Sequence, residues 1–114
     1  MIYISKNNKQ KTKWNKRNFF KRKKSSRRQV GHPVLVYAEA NDNYKYLTFT
    51  HSPEKGKEND YEKLKHNIDP KKDGLEPTYV KKKSGFGHSK NFDPPQEKYR
   101  IHNDDKTTVK KYKK

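Results

Sequence analysis

Hydrophobic residues are concentrated in the stretch "PVLVYAEANDNYKYLTFTH", residues 33–51. It has a β-branched and aromatic run after Pro33, turn-forming residues at 41–43, and alternating polar and apolar positions over 44–50. This combination predicts a β-hairpin. Leu47 and Phe49 fall on one face of the second strand, which we expect to pack inward. The other face, with its tyrosines and threonines, is expected to point to solvent or to a ligand.

Outside the hairpin the hydrophobic residues are sparse, and proline or glycine interrupts the pattern repeatedly. Residues 52–77 are predicted to be largely irregular, "TYVKK" and "EKYRI" to be short strands, and "SGFGHSKNFDPP" to be a loop. Near the end of the chain, Asn103 can cap a helix with acidic residues in its first turn and lysines in its last. We therefore predict an α+β fold: a small antiparallel sheet built on a β-hairpin with a short C-terminal helix, preceded by a flexible basic arm.

Charge divides the chain into two parts. It has 30 Lys and Arg against 13 Asp and Glu, a net charge of +17, and 12 of the basic residues but no acidic one lie within residues 1–28. High net charge and few aliphatic residues favour disorder. We therefore predict a disordered basic and aromatic arm over residues 1–28 and a small α+β module over residues 29–114.

The chain lacks the features of several protein classes. It has no cysteine, which excludes disulfides, a thiolate zinc site and a cysteine nucleophile. We expect neither a cofactor nor a metal site, because the histidines have no fixed ligand spacing. No stretch is long and apolar enough to span a membrane, and "MIYISKNN" lacks the apolar core of a secretory signal. We expect a soluble, cytoplasmic protein.

The segment "KWNKRNFFKRKKSSRR", residues 13–28, combines many cations with one Trp and two Phe. Phosphates attract Lys and Arg, and aromatic rings stack on unpaired bases, so this composition predicts nucleic-acid binding. The candidate residues are Lys13, Trp14, Lys16, Arg17, Phe19, Phe20, Lys21, Arg22, Lys23, Lys24, Arg27 and Arg28 in the arm, and Tyr44, Tyr46, Lys110 and Lys111 in the module.

The expected partner is nucleic acid, with RNA favoured over DNA, or a nucleoprotein complex. The protein itself is expected to be a monomer when free. Two alternatives remain: the arm is an inert solvated tail whose rings dock on the module, or it binds an anionic membrane. The membrane alternative is the weaker one, because the arm has no apolar stripe.

Five histidines raise a second hypothesis, a metal-independent endoribonuclease of the toxin type. Such an enzyme needs a base for the 2′-hydroxyl, an acid for the leaving 5′-oxygen and a cation for the phosphorane. The candidates for these roles are His51, His32, His88, Lys81 and Arg100. Each histidine alone is more simply explained as a surface or turn residue.

The segments "GHPVLVY", "YKYLTFTHS" and "LKHNIDPKKD" contain a His-Pro pair, a Thr-His-Ser triplet and an Asn-x-Asp-Pro turn. In this order they resemble small basic uncharacterised proteins of mobile genetic elements in low-GC Gram-positive bacteria. The resemblance covers roughly residues 29–114 and implies no agreed activity. Since proteins of such elements often counter host defence, it adds a third hypothesis: an anti-CRISPR-like inhibitor that occupies the nucleic-acid or guide-RNA site of a host defence complex.

Overall fold

The computed structural model of the protein describes residues 13–24 and 31–114. Within these residues the chain forms a β-sheet and one short α-helix. The strands are β1 Asn15–Arg22, β2 Pro33–Ala40, β3 Asn43–Thr50, β4 Tyr61–Lys63, β5 Tyr79–Lys81 and β6 Gly85–His88, and the helix is α1 Lys106–Tyr112. The predicted α+β class, antiparallel sheet and C-terminal helix are confirmed.

The predicted hairpin is formed by β2 and β3, which pair in antiparallel register. The two turn residues between them, Asn41 and Asp42, have φ angles of 50° and 65°. Two-residue hairpin turns of this kind match the twist of the strands, and Asn and Asp tolerate the left-handed conformation better than most residues. The sheet has the order β1-β2-β3-β5-β4, and β6 also pairs with β3.

Strand β1 lies in the segment that the sequence assigns to a disordered arm. It pairs with β2, so that Phe20 is opposite Leu35, and Phe20 is only 6% exposed. Its ring centroid lies 5.5 Å from that of Phe49 and 5.6 Å from that of Tyr99. The predicted boundary between arm and module at residue 28 is therefore wrong. Most side chains of β1 are exposed or half-buried, many of them charged, and the strand joins the sheet through backbone pairing and the buried Phe20. Residues 1–12 and 25–28 of the predicted arm lie outside the described residues.

One face of the sheet carries the main core. Leu35, Leu47, Phe49 and Val80 are fully buried there, and Val109 of helix α1 packs against them. The predicted inward orientation of Leu47 and Phe49 is confirmed.

The opposite face is covered, although the sequence predicts an open tyrosine and threonine surface. Tyr44 and Tyr46 are only 6% and 5% exposed, and the Phe92 ring centroid lies 5.3 and 5.2 Å from theirs. Strand β6 leads into this cover, so the glycine-rich segment is not simply a loop. Glycine is required at position 85, because the Tyr46 ring lies directly over its backbone and a Cβ atom there would be 2.4 Å from that ring.

The segment that covers Tyr44 and Tyr46 also reaches the outer edge of β1. The amide of Asp93 donates to the carbonyl of Arg22 at 2.9 Å, and that of Gln96 donates to the carbonyl of Phe20 at 2.7 Å. Residues 85–96 thus connect β3 with β1. The following segment "EKYRI" forms no strand, so that prediction is wrong.

Helix α1 is held at its start by Asp105, which is 2% exposed. The carboxylate of Asp105 accepts hydrogen bonds from the amides of Lys65 at 2.7 Å and His66 at 2.9 Å. Near the end of the helix the Tyr112 hydroxyl donates to the carboxylate of Glu62. No helix among the described residues is long and apolar enough to cross a membrane.

Candidate nucleic-acid groove

An open groove of about 1080 Å³ lies on the side of the sheet that helix α1 covers. Its floor is the outer part of the main core, formed by Phe20, Leu35, Tyr37, Ile101 and Val109. One wall is formed by β1, Trp14 and Lys45 of β3, and the other by helix α1. The groove therefore lies directly on the hydrophobic core.

Both walls of this groove carry cations. On the helix wall Lys106 and Lys110 are four residues apart and share one face of α1, and Lys113 follows directly after the end of the helix. Among the described residues that line the groove, eight are Lys or Arg and one, Glu97, has a carboxylate. The eight are Lys16, Arg17, Lys45, Arg100, Lys106, Lys110, Lys113 and Lys114.

Among the described residues, one of these cations is paired with a carboxylate. Arg17 Nε bonds Glu39 Oε1 at 2.7 Å, which offsets one cation of the strand wall. On the helix wall, partial burial and then the neighbouring charge of Lys110 lower the pKa of Lys113. A cation that is destabilised by its surroundings gains more from a bound anion than a fully solvated one. The groove therefore favours a polyanionic ligand.

An aromatic pair lies beside the strand wall. The rings of Trp14 and Phe86 meet edge to face with their centroids 5.7 Å apart, and Lys45 Nζ lies 4.4 Å from the Trp14 ring centroid. Phe86 is 62% exposed. An exposed ring next to a cation offers a surface on which an unpaired base can stack while its phosphate is neutralised.

The structure brings only some of the predicted nucleic-acid residues to this groove. Trp14, Lys16, Arg17, Phe19 and Lys110 line it, and Lys13 is exposed immediately before Trp14. Phe20 is part of the floor but is buried in the core, so it cannot stack on a base.

Other predicted rings are covered in whole or in part. Tyr44 and Tyr46 are covered by Phe92, and their assignment to base stacking is therefore wrong. Phe19 is half-buried and packs edge to face on Tyr44, with their ring centroids 5.8 Å apart. The covering segment removes the two tyrosine rings from solvent, whereas the Phe19 ring is only partly covered, by its contact with Tyr44.

The remaining predicted cations have contacts outside the groove walls. Lys21 Nζ donates to the Tyr44 hydroxyl at 3.3 Å. The Arg22 guanidinium donates to the Gly31 carbonyl at 2.7 Å and to the Tyr99 hydroxyl at 2.6 Å.

Lys23 Nζ lies 5.6 Å from the Tyr46 ring centroid, and Lys111 Nζ lies 3.3 Å from Glu62. Lys24 is exposed and donates its amide to the carbonyl of Asn91. Arg27 and Arg28 lie outside the described residues.

Sequence reasoning missed several groove residues, namely Lys45, Lys106, Lys113, Lys114 and Tyr99, and also the exposed Phe86 beside the strand wall. The spacing of Lys106, Lys110 and Lys113 is a signal that was present in the sequence, because it aligns these side chains on one face of the predicted helix. Lys45 and Phe86 gave no such signal, because they become neighbours only through the pairing of β3 with β6.

The predicted catalytic residues are brought together in part. His32 and His51 line a second pocket, of about 300 Å³, together with Arg22. Although much of His32 stays exposed, desolvation lowers its pKa, and the charges of His51, Arg22 and Lys81 lower it further. His32 is therefore suited to act as a neutral base near pH 7.

His88 and Arg100 do not belong to this pocket. His88 is opposite Asn43, at the turn end of β3, whereas His51 follows the other end of that strand. His88 Nδ1 accepts a hydrogen bond from the amide of Lys90, which gives it a role in a turn. Arg100 lines the basic groove instead.

Comparison of the chain with protein-family models, curated proteins and solved structures finds no match. The resemblance to proteins of mobile elements, and the inhibitor hypothesis that depends on it, therefore stay predictions. The function has to be argued from the chemistry of the groove and the pocket.

Proposed function

We propose that the protein binds single-stranded nucleic acid, RNA in particular, along the groove between β1 and helix α1, and that it acts in the cytoplasm. The observation that carries this proposal is the presence of cations on both walls of one groove, with a single carboxylate among the lining residues. A flexible phosphate backbone can lie between two such walls. Its neutralisation releases counterions, which makes binding favourable and dependent on salt.

The preference for a single strand rests on the aromatic pair. Trp14 and Phe86 lie beside Lys45, and unpaired bases gain about 1–3 kcal/mol for each aromatic ring on which they stack. Bases in a duplex are already stacked on each other. We expect Phe86→Ala to weaken binding of an unstructured RNA more than binding of a duplex of the same length.

The helix wall allows a direct test of the electrostatic part. Replacing Lys106 and Lys110 with Gln should reduce the slope of log K against log salt by about 1.4, since each contacted phosphate of a single strand contributes about 0.7. The matched control replaces Lys55 and Lys71, which are exposed and do not line the groove. Their replacement with Gln removes the same two positive charges outside the groove.

Fluorescence anisotropy with a labelled, unstructured RNA over a series of salt concentrations measures both slopes. If the control pair lowers affinity and slope as much as the groove pair, net charge rather than the groove governs binding, and the proposal fails.

A second candidate function is RNA cleavage in the pocket that contains His32 and His51. The specific observation that favours it is that both histidines and Arg22 line the same pocket. His32 would remove the proton of the 2′-hydroxyl, His51 would donate a proton to the leaving 5′-oxygen, and Arg22, with the nearby Lys81, would stabilise the phosphorane. This scheme uses no metal.

Cleavage is tested by incubating structured RNA with the protein in EDTA. Products with 2′,3′-cyclic phosphate ends should form, and both His51→Ala and His32→Ala should abolish them. His88→Ala is the matched control and should retain full activity, because His88 lies near the opposite end of β3. Intact RNA at a large excess of protein would exclude this function without affecting the binding proposal.

A further inference from the structure

A third cluster of polar side chains lies outside both the groove and the histidine pocket. His66 and His102 stack with their ring centroids 3.6 Å apart and their planes at 18°. Asp104 and Asp73 flank the pair. His66 belongs to the segment after β4, whereas His102 and Asp104 precede helix α1, so the cluster joins two distant parts of the chain.

Backbone hydrogen bonds hold this cluster in place. The carboxylate of Asp73 accepts from the amide of Asn67 at 3.1 Å and bonds His66 Nδ1 at 2.8 Å. His102 Nδ1 accepts from the amide of Asp104 at 3.1 Å. His102 Nδ1 is therefore unprotonated, and its lone pair points to the Asp104 amide.

Two of the three spacings between the ligand atoms are close to those of a tetrahedral site. His66 Nε2 lies 3.0 Å from Asp104 Oδ2, and His102 Nδ1 lies 3.5 Å from the same oxygen. Zinc bonds of about 2.0–2.1 Å place neighbouring ligands of a tetrahedron about 3.3 Å apart. One potential ligand atom from each of these three residues lies within 4.8 Å of the others.

We propose that His66, His102 and Asp104 form a binding site for a divalent transition-metal ion of the zinc type, with water as the fourth ligand. Two imidazoles and one carboxylate suit zinc, nickel or copper rather than magnesium or calcium. Asp73 then has the role of the carboxylate that orients a metal-binding histidine through its other nitrogen. This site departs from the sequence-based expectation of no metal.

Metal binding requires two local changes. The ion must displace the proton between His66 Nε2 and Asp104. Hydrogen bonds to Asp73 and then Asp104 raise the pKa of His66, so this proton competes with the ion for the site. The His102 ring must turn out of the stack, because parallel rings do not direct their lone pairs to one point, and this rotation releases its Nδ1 from the Asp104 amide. The His102 side chain is 46% exposed, which leaves room for that rotation.

The test uses the full chain after treatment with a chelator. Calorimetric titration with zinc sulfate should give one ion per chain, and cobalt chloride should give the strong visible absorption of tetrahedral Co²⁺. Magnesium chloride should not bind at the same concentration. Because the site connects the segment after β4 to helix α1, zinc at a hundredfold excess over Kd should raise Tm by about 10 °C.

Variants assign the metal to this cluster. His102→Ala and His66→Ala should each weaken zinc binding by about tenfold or more, and Asp73→Asn by about tenfold through the loss of ligand orientation. His88→Ala is the matched control and should bind as the parent does. Absence of one-to-one zinc binding, or binding that survives the His66 and His102 substitutions, would overturn the proposal.

Discussion

Phe20 provides a sharp test of the fold, because the sequence places it in a disordered arm and the structure places it in the core. It is 6% exposed and packs against the rings of Phe49 and Tyr99. Truncation of a buried Phe to Ala costs about 3–5 kcal/mol. A small domain has a total stability of about 5–15 kcal/mol. Phe20→Ala should therefore remove a large part of the free energy of unfolding.

The matched control is Phe86→Ala, which removes the same atoms at a position that is 62% exposed. It should change stability by about 0.5 kcal/mol or less. Urea unfolding followed by circular dichroism measures both variants. If Phe20→Ala does not fold, Phe20→Leu, which keeps most of the buried volume, should still melt cooperatively at a lower urea midpoint. Equal stability of the Phe20→Ala and Phe86→Ala proteins would refute the placement of β1 in the sheet.

Three further predictions concern stability. Asp105→Ala leaves two amides without their acceptor and should cost about 2 kcal/mol or more in urea unfolding, whereas Asp105→Asn, which retains one acceptor, should cost less. Gly85→Ala forces a Cβ to within 2.4 Å of the Tyr46 ring and should lower Tm and alter the near-ultraviolet signal of the tyrosines, while Gly87→Ala, with its nearest contact at 3.6 Å, should not. The lowered pKa of His32 means that the unfolded chain binds a proton more readily, so this residue makes stability fall as pH drops below its ordinary pKa of 6.5. Since His32 remains largely exposed, the effect should be small, and His32→Gln should reduce the difference in urea midpoint between pH values above and below 6.5.

The hairpin and the helix could be predicted because their signals are local. Turn residues with the right φ preference stand at Asn41 and Asp42, and alternation in β3 marks its buried face. The charge pattern of residues 103–113 likewise fits a helix by itself. Each of these features depends on residues that are close together in sequence, so the sequence alone is enough to predict it.

Strand β1 and the cover over Tyr46 could not be predicted in the same way. Phe20 becomes a core residue only because Phe49 and Tyr99 surround it, and both are distant in sequence. Phe92 covers Tyr46 because the segment around it hydrogen-bonds to β1. The glycines and prolines of that segment indicate turns but not this pairing.

The candidate site shows the same division. Trp14, Lys16 and Arg17 could be selected from composition, and the alignment of Lys106 with Lys110 could have been derived from helical spacing. Their position on opposite walls of one groove depends on how helix α1 docks onto the sheet. The sequence could identify cations and rings, but only the fold determines which of them face the same ligand.

NMR titration of the full, isotope-labelled chain with an unstructured RNA oligonucleotide tests the groove most directly. We predict that the largest amide shift changes occur on both walls together, around Lys16 and Lys45 on the sheet and around Lys106 and Lys110 on helix α1. Changes of equal size should not occur around Lys55 or Lys71. Shift changes that leave helix α1 unaffected while RNA binds elsewhere on the chain would contradict the proposed binding groove.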